Sequence, residues 1–202
     1  MSSAYELSGR TRQKARTRNA LLAAARELLA EGANLTVDQA ADRAEVSRST
    51  AYRYFPNQRM LVAALHPEVD LPSLLDEPAP DDPRERLEVV IARFTDLVLR
   101  WEPEYRAQLR LSLEPGAADE QLPLRGGRGI RWIEDALAPL RGELPDAELR
   151  RLVLAIRATT GIESFVWLTD VARVPREEAV EILRGSAREL LGAALARIAS
   201  PG

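Results

Sequence analysis

Apolar residues recur every three or four positions along most of this chain, with no alternating stretch of useful length, which is the signature of helices rather than strands. Leu21, Leu22, Ala25, Leu28 and Leu29 mark the buried face of a first helix over about 12–31, and Gly32 is its natural stop. Thr36-Val37-Asp38-Gln39 places a hydroxyl three residues before a glutamine, the capping-box spacing, and opens a short second helix ending near Ala44. Its Ala40, Ala41 and Ala44 are small enough for another helix to approach closely. Ser47 caps a third helix from Arg48 to about Phe55. Pro56-Asn57 interrupts it, and Asn57 caps a fourth helix over 58–65.

The stretch 66–83 holds Pro67, Pro72, Pro78, Pro80 and Pro83 and reads as a loop or linker. Helix signals return with Leu87, Val90, Ile91, Phe94, Leu97, Val98 and Trp101 on one stripe. Pro103 starts a helix to about Glu114, and 115–127 is a Pro/Gly loop. A helix spans about 128–140, one long helix 145–171, and a last helix 175–198. The chain therefore reads as all α with about nine helices, divided into a head (1–65), a connecting segment (66–83) and a helical remainder (84–202). No apolar run approaches the roughly 18 residues of a membrane span. The polar, Arg-rich Met1–Arg18 has no apolar core, so the expectation is a soluble, cytoplasmic protein without a secretory leader.

Composition narrows the chemistry. The chain has 202 residues and no cysteine, which removes disulfides, thiolate zinc sites and a cysteine nucleophile. His66 is the only histidine and directly precedes Pro67, poor material for a catalytic triad and insufficient for a two-histidine metal pair. A carboxylate-only site using Glu163 and Asp170 would span two helical turns. No catalytic residue, metal or cofactor is expected, and the chain reads as a non-enzyme. Charge is uneven: residues 1–65 carry ten basic and six acidic side chains, 66–202 eighteen and twenty-five. Such asymmetry suggests that the amino-terminal part meets a polyanion. Lys14 is the only lysine, a bias that reads as genome base composition.

The short helix, tight turn and second short helix over 36–55 form a helix-turn-helix. Its second helix projects Arg48, Ser49, Thr50, Tyr52 and Arg53, with no acid between Ser47 and Leu65. A helix that fits the major groove, hydrogen-bonding tips near its start and positive charge beside it are what base readout requires. A plain helical hairpin with Tyr52, Tyr54 and Phe55 buried is the alternative. The Arg10, Arg12, Lys14, Arg16, Arg18 run is either a solvated face or an arm that attracts phosphates.

The segment Leu35 to Leu61, above all Val46-Ser47-x-x-Thr50-x-Tyr52-x-Tyr54-Phe55, strongly resembles the DNA-binding domain of the tetracycline-repressor (TetR) family, over about residues 12–65. The resemblance implies that Thr36 caps its helix and touches a phosphate, that Arg48 and Ser49 face bases, and that Thr50 and Tyr54 contact phosphates. It implies further that Tyr52 packs on base methyls or backbone. Ser47 and the exposed Arg53 complete the candidate DNA contacts. Two departures stand out. Gln58 replaces a frequent phosphate-binding lysine, with Arg59 beside it, and Glu45 replaces the usual turn glycine.

By the same resemblance the remainder is a ligand-binding and dimerisation domain. Trp101, Gln108, Trp132, Thr160, Glu163 and Trp167 are its candidate ligand residues, with Thr95 and Thr159 also considered. Glu163 suits a cationic ligand, or pairs with Arg157 or with an arginine across a dimer interface. The last two helices look built for association: Ala179, Ile182, Leu183, Ser186, Leu190, Ala194 and Ile198 form one stripe, and Gly185, Ala187, Gly192 and Ala193 are small. The expected function is a repressor released from palindromic double-stranded DNA by a small molecule and acting as a homodimer. The alternative is a protein-interaction module that has kept the fold.

Overall fold

The computed structural model describes residues 3–65, 71–114 and 127–200. His66 and most of the 115–127 loop lie outside them. Among the described residues all regular structure is helical: α1 (Ser3–Ala30), α2 (Val37–Arg43), α3 (Arg48–Tyr54), α4 (Gln58–Ala64), α5 (Pro83–Arg100), α6 (Glu102–Ser112), α7 (Arg128–Ala136), α8 (Asp146–Ala158), α9 (Ile162–Val166) and α10 (Arg176–Ala199). A 3-10 turn at Ala138–Leu140 follows α7, and a π-helical turn at Trp167–Val171 follows α9. Counting the interrupted 146–171 helix once gives the nine expected.

The chain forms two compact units. The first comprises residues 1–67 and 103–124. Its core joins Leu21, Leu22, Ala25 and Leu28 of α1 to Leu35, Ala40, Ala41, Ala51, Phe55, Leu61 and Leu65, and takes in Ala107 and Leu111 of α6. Sequence periodicity groups everything after residue 83 together; tertiary packing instead places most of α6 with the head. Arg59, beside Gln58, pairs with Glu114 at 3.5 Å within this unit. Glu104 is buried here, and desolvation pushes its carboxyl above the usual carboxylate range.

Local chemistry explains the boundaries of the head's helices. Gly32 takes φ 76°, and the Gly32 and Ala33 amides close back onto Leu29 and Leu28, a Schellman stop for α1. Thr36 Oγ1 accepts from the Gln39 amide at 3.1 Å and donates to Gln39 Oε1 at 3.0 Å, so the expected box forms with the hydroxyl, not the Thr36 amide, as the second donor. Ser47 and Asn57 accept from the amides of Thr50 and Met60. α1 extends well before residue 12, and Arg12, Lys14, Arg16 and Arg18 are exposed along it.

The second unit comprises residues 68–102 and 125–202, with α5 packed on α7 and α10, and α8 on both of those. The Pro-rich segment is irregular, as expected, but firmly attached over 71–82. Arg93 donates to Leu74 O at 2.7 Å and pairs with Asp76; Arg86 donates to the carbonyls of Pro80, Asp135 and Ala136; and Trp132 Nε1 donates to Leu71 O at 2.9 Å. The expected uninterrupted helix over 145–171 breaks at Gly161 (φ 94°, ψ −175°). That 26-residue stretch has the length and hydropathy of a membrane span, against the expectation that no apolar run approaches one; it is partly buried, with Leu152, Val153, Ile156, Ile162 and Phe165 inside the unit. On α10 the buried line is Ala179, Leu183, Ala187, Leu191 and Ala194. Ile182 stays exposed at 38%, and Ala187, read from sequence as off the stripe, lies on the buried line.

Candidate nucleic-acid interface

α2 and α3 are joined by four residues, Ala44 to Ser47, and small side chains let them pack closely: Ala40, Ala41 and Ala51 are each at most 1% exposed. The turn is a second Schellman motif. Glu45 donates its amide to Asp42 O at 3.3 Å and Val46 to Ala41 O at 2.9 Å. Glu45 occupies the left-handed position, φ 54°, where glycine is favoured. The geometry is thus kept without the glycine, at a conformational cost. Glu45→Gly is expected to stabilise the head by about 0.5–1 kcal/mol in urea denaturation, since relief of the left-handed strain outweighs the added freedom of the unfolded chain. It also removes one acid beside the candidate DNA face, so DNA binding tightens in the same variant.

With α3 anchored by Ala51 and Phe55, its other side faces solvent. Arg48, Ser49, Tyr52 (43% exposed) and Arg53 are exposed; Thr50 and Tyr54 are half-buried, Tyr54 packing on the head's core. The buried-hairpin alternative for Tyr52 therefore does not hold, while Phe55 is core. Ser47 is committed to the backbone: its hydroxyl caps α3, donates to Thr50 Oγ1 at 2.8 Å and lies 3.3 Å from Ser49 Oγ. Thr36 is likewise a cap, half-buried at the start of α2.

Two electrostatic features escaped the sequence reading. Arg43 makes a bidentate pair with Glu31 at 2.9 and 2.8 Å and reaches Glu27 at 3.5 Å, tying α2 to the end of α1 and holding Glu31 below the usual carboxylate range. Arg48 sits between two acids of α2, with Nη2 3.3 Å from Asp42 Oδ2 and Nε 3.7 Å from Asp38 Oδ1. The hydrogen bond to Asp42, then the charges of both acids, raise its pKa further. These contacts cross the turn, so helical i, i+4 spacing gives no hint of them.

The ligand candidates scatter. Gln108 is buried in the first unit, its Nε2 without a hydrogen-bond partner among the described residues. The others lie in the second. Trp132 is buried edge-on to Phe94, centroids 5.6 Å apart. Arg157 lies over the same ring at 5.6 Å, binds Thr160 O at 2.7 Å and makes an ion pair with Glu163 at 3.2 Å, the pairing given as one option for that acid. Thr160 is buried and its hydroxyl back-bonds to Ile156 O at 2.9 Å. Trp101 is half-buried at the end of α5. Trp167 is 56% exposed and, with Glu163, Ser164 and Ile182, lines an open cleft of about 350 Å³. Among the described residues no cluster of three or more His, Asp or Glu is placed to hold a metal ion.

A closely packed helix pair that presents an exposed, arginine-bearing second helix is the geometry of helix-turn-helix DNA-binding modules. Residues 21–65 match the profile of the bacterial regulatory proteins, tetR family. The head of the chain thus carries a module similar to the amino-terminal DNA-binding domain of that family. A TetR transcriptional regulator from Rhodococcus sp. RHA1 shares the fold at a TM-score of 0.53 and 22% identity, over 87% of this chain and 96% of that one. A TetR-family transcriptional regulator from Streptomyces coelicolor aligns at a TM-score of 0.45 and 23% identity, over 88% and 98%. No curated protein matches the chain.

Proposed function

We propose that the protein is a cytoplasmic repressor that binds a near-palindromic operator as a homodimer and leaves it when a small molecule binds. The observation that carries the DNA half is the exposed row Arg48, Ser49, Tyr52 and Arg53 on α3, with Thr36, Ser47, Thr50 and Tyr54 framing it. Dimerisation through the last two helices, the interrupted 146–171 helix and α10, is supported by apolar side chains left in solvent on them: Leu154 (41%), Trp167 (56%), Val171 (66%) and Ile182 (38%). Two-fold pairing sets two copies of α3 about one DNA turn apart. An effector releases the operator only if it binds more tightly to a dimer state whose heads are wrongly spaced. Of the candidates in the second unit, Glu163 and Trp167 meet solvent at the cleft and are the first to test for effector contact.

Fluorescence anisotropy with DNA from upstream of the protein's own gene tests the reading. At about 0.15 M salt the wild type is expected to bind, and Arg48→Ala or Tyr52→Ala to weaken binding about tenfold or more. Unchanged affinity in both variants would show that α3 is not the recognition helix.

A further inference from the structure

Arg48 is the first residue of α3, and recognition helices meet base edges with their amino-terminal residues. Its guanidinium is braced from the neighbouring helix: Asp42 Oδ2 lies 3.3 Å from Nη2 and Asp38 Oδ1 3.7 Å from Nε. Asp38 Oδ1 is shielded from solvent and has no hydrogen-bond partner among the described residues, so a small inward shift of Arg48 would satisfy a buried orphan atom. The Arg48 side chain nevertheless stays 63% exposed. A guanidinium carries five N–H donors, and the acids face two of its nitrogens, leaving donors for a further partner. Two carboxylates on one arginine also give the group a net negative charge. An arginine so placed has lost the property that a phosphate clamp needs and kept the one a base reader needs, a fixed planar fork.

We propose that Asp38 and Asp42 make Arg48 a guanine reader: they cancel its pull toward phosphates and lock its fork, so that it donates two hydrogen bonds to O6 and N7 of one guanine in each half-site. Ser49, Tyr52 and Arg53 then supply neighbouring contacts. This specificity rests on the DNA-binding reading above, and its test separates the two.

The test is selection from random duplex DNA by the full-length protein, followed by anisotropy titrations of the enriched site over a range of salt. The wild type is expected to enrich a guanine in each half-site, and 7-deazaguanine there to weaken binding roughly tenfold to a hundredfold. Arg48→Lys keeps the charge but not the fork; it is expected to lose the guanine preference with an unchanged salt slope. Asp42→Asn is expected to bind all DNA more tightly, to steepen the salt slope by about one and to blunt the preference. Asp38→Asn is expected to act in the same direction, and circular dichroism confirms that each variant is folded. Retention of the guanine preference by Arg48→Lys overturns the proposal, as does an Asp42→Asn variant that gains affinity for every sequence with its preference intact. If the wild type enriches a site without an Arg48-dependent guanine, only this inference falls. If it enriches no sequence, operator recognition falls with it.

Discussion

Replacing Gly161 with alanine is expected to destabilise the protein by about 2–4 kcal/mol and to lower its melting temperature by roughly 10 °C. Two costs add. The backbone at φ 94°, ψ −175° lies in a region that only glycine enters freely. A Cβ there would also stand 2.7 Å from Arg157 Nη1 and 3.2 Å from Glu163 Oε2. Arg157 cannot simply swing aside, because it is tied to Thr160 O, to Glu163 and to the face of Phe94. Two companion variants separate the terms. Gly142 has φ 91° but open space around it, so Gly142→Ala carries backbone strain alone, about 1 kcal/mol. Gly129 has an ordinary φ, but a Cβ would meet Phe94 and Arg157 Nε at 3.0–3.1 Å, so Gly129→Ala carries crowding alone. Thermal denaturation of the three should rank Gly161→Ala lowest. A Gly161→Ala protein as stable as Gly142→Ala would mean that Arg157 is not held where described.

Phe55→Ala is expected to cost about 3–5 kcal/mol, the usual range for emptying a core aromatic site. Phe55 is 3% exposed, ends α3, and packs among the side chains of the head's core. It is therefore the anchor that turns the opposite face of α3 outward. Arg18 lies over its ring at 5.8 Å, an exposed cation–π contact worth about 0.5–1 kcal/mol, so Arg18→Ala should reproduce only a small part of the loss. Urea denaturation followed by circular dichroism measures both. Operator binding should fall in Phe55→Ala although Phe55 touches no DNA in this reading. A loss below about 1 kcal/mol would place the ring outside the core.

The head was legible because its determinants are local. Gly32, Thr36, Ser47 and Asn57 act on amides within a few residues of themselves, so the caps and their order could be read from spacing. The Glu45 turn could be located but not resolved: that a glutamate would accept φ 54° depends on two amide bonds back into α2. What sequence could not show was set by partners far along the chain. α6 carries an ordinary amphipathic stripe, and nothing in it says that Ala107 and Leu111 join the core around Leu21. The break at Gly161 follows Thr159-Thr160 in an otherwise helical run, where a lone glycine does not by itself mark a break. The pocket candidates were chosen by residue type. Type alone does not reveal that the Trp132 N–H and the Thr160 hydroxyl are already engaged by backbone carbonyls.

Lys14, the sole lysine, stands in solvent on α1, outside the head's core. Amine-directed chemistry therefore has one side-chain target in the whole polypeptide, and the absence of cysteine leaves thiol chemistry free for an independent second tag. Acetylating that amine would strip a positive charge from the exposed basic row of α1 without disturbing a packed residue. A fluorophore on it would report from α1 alone.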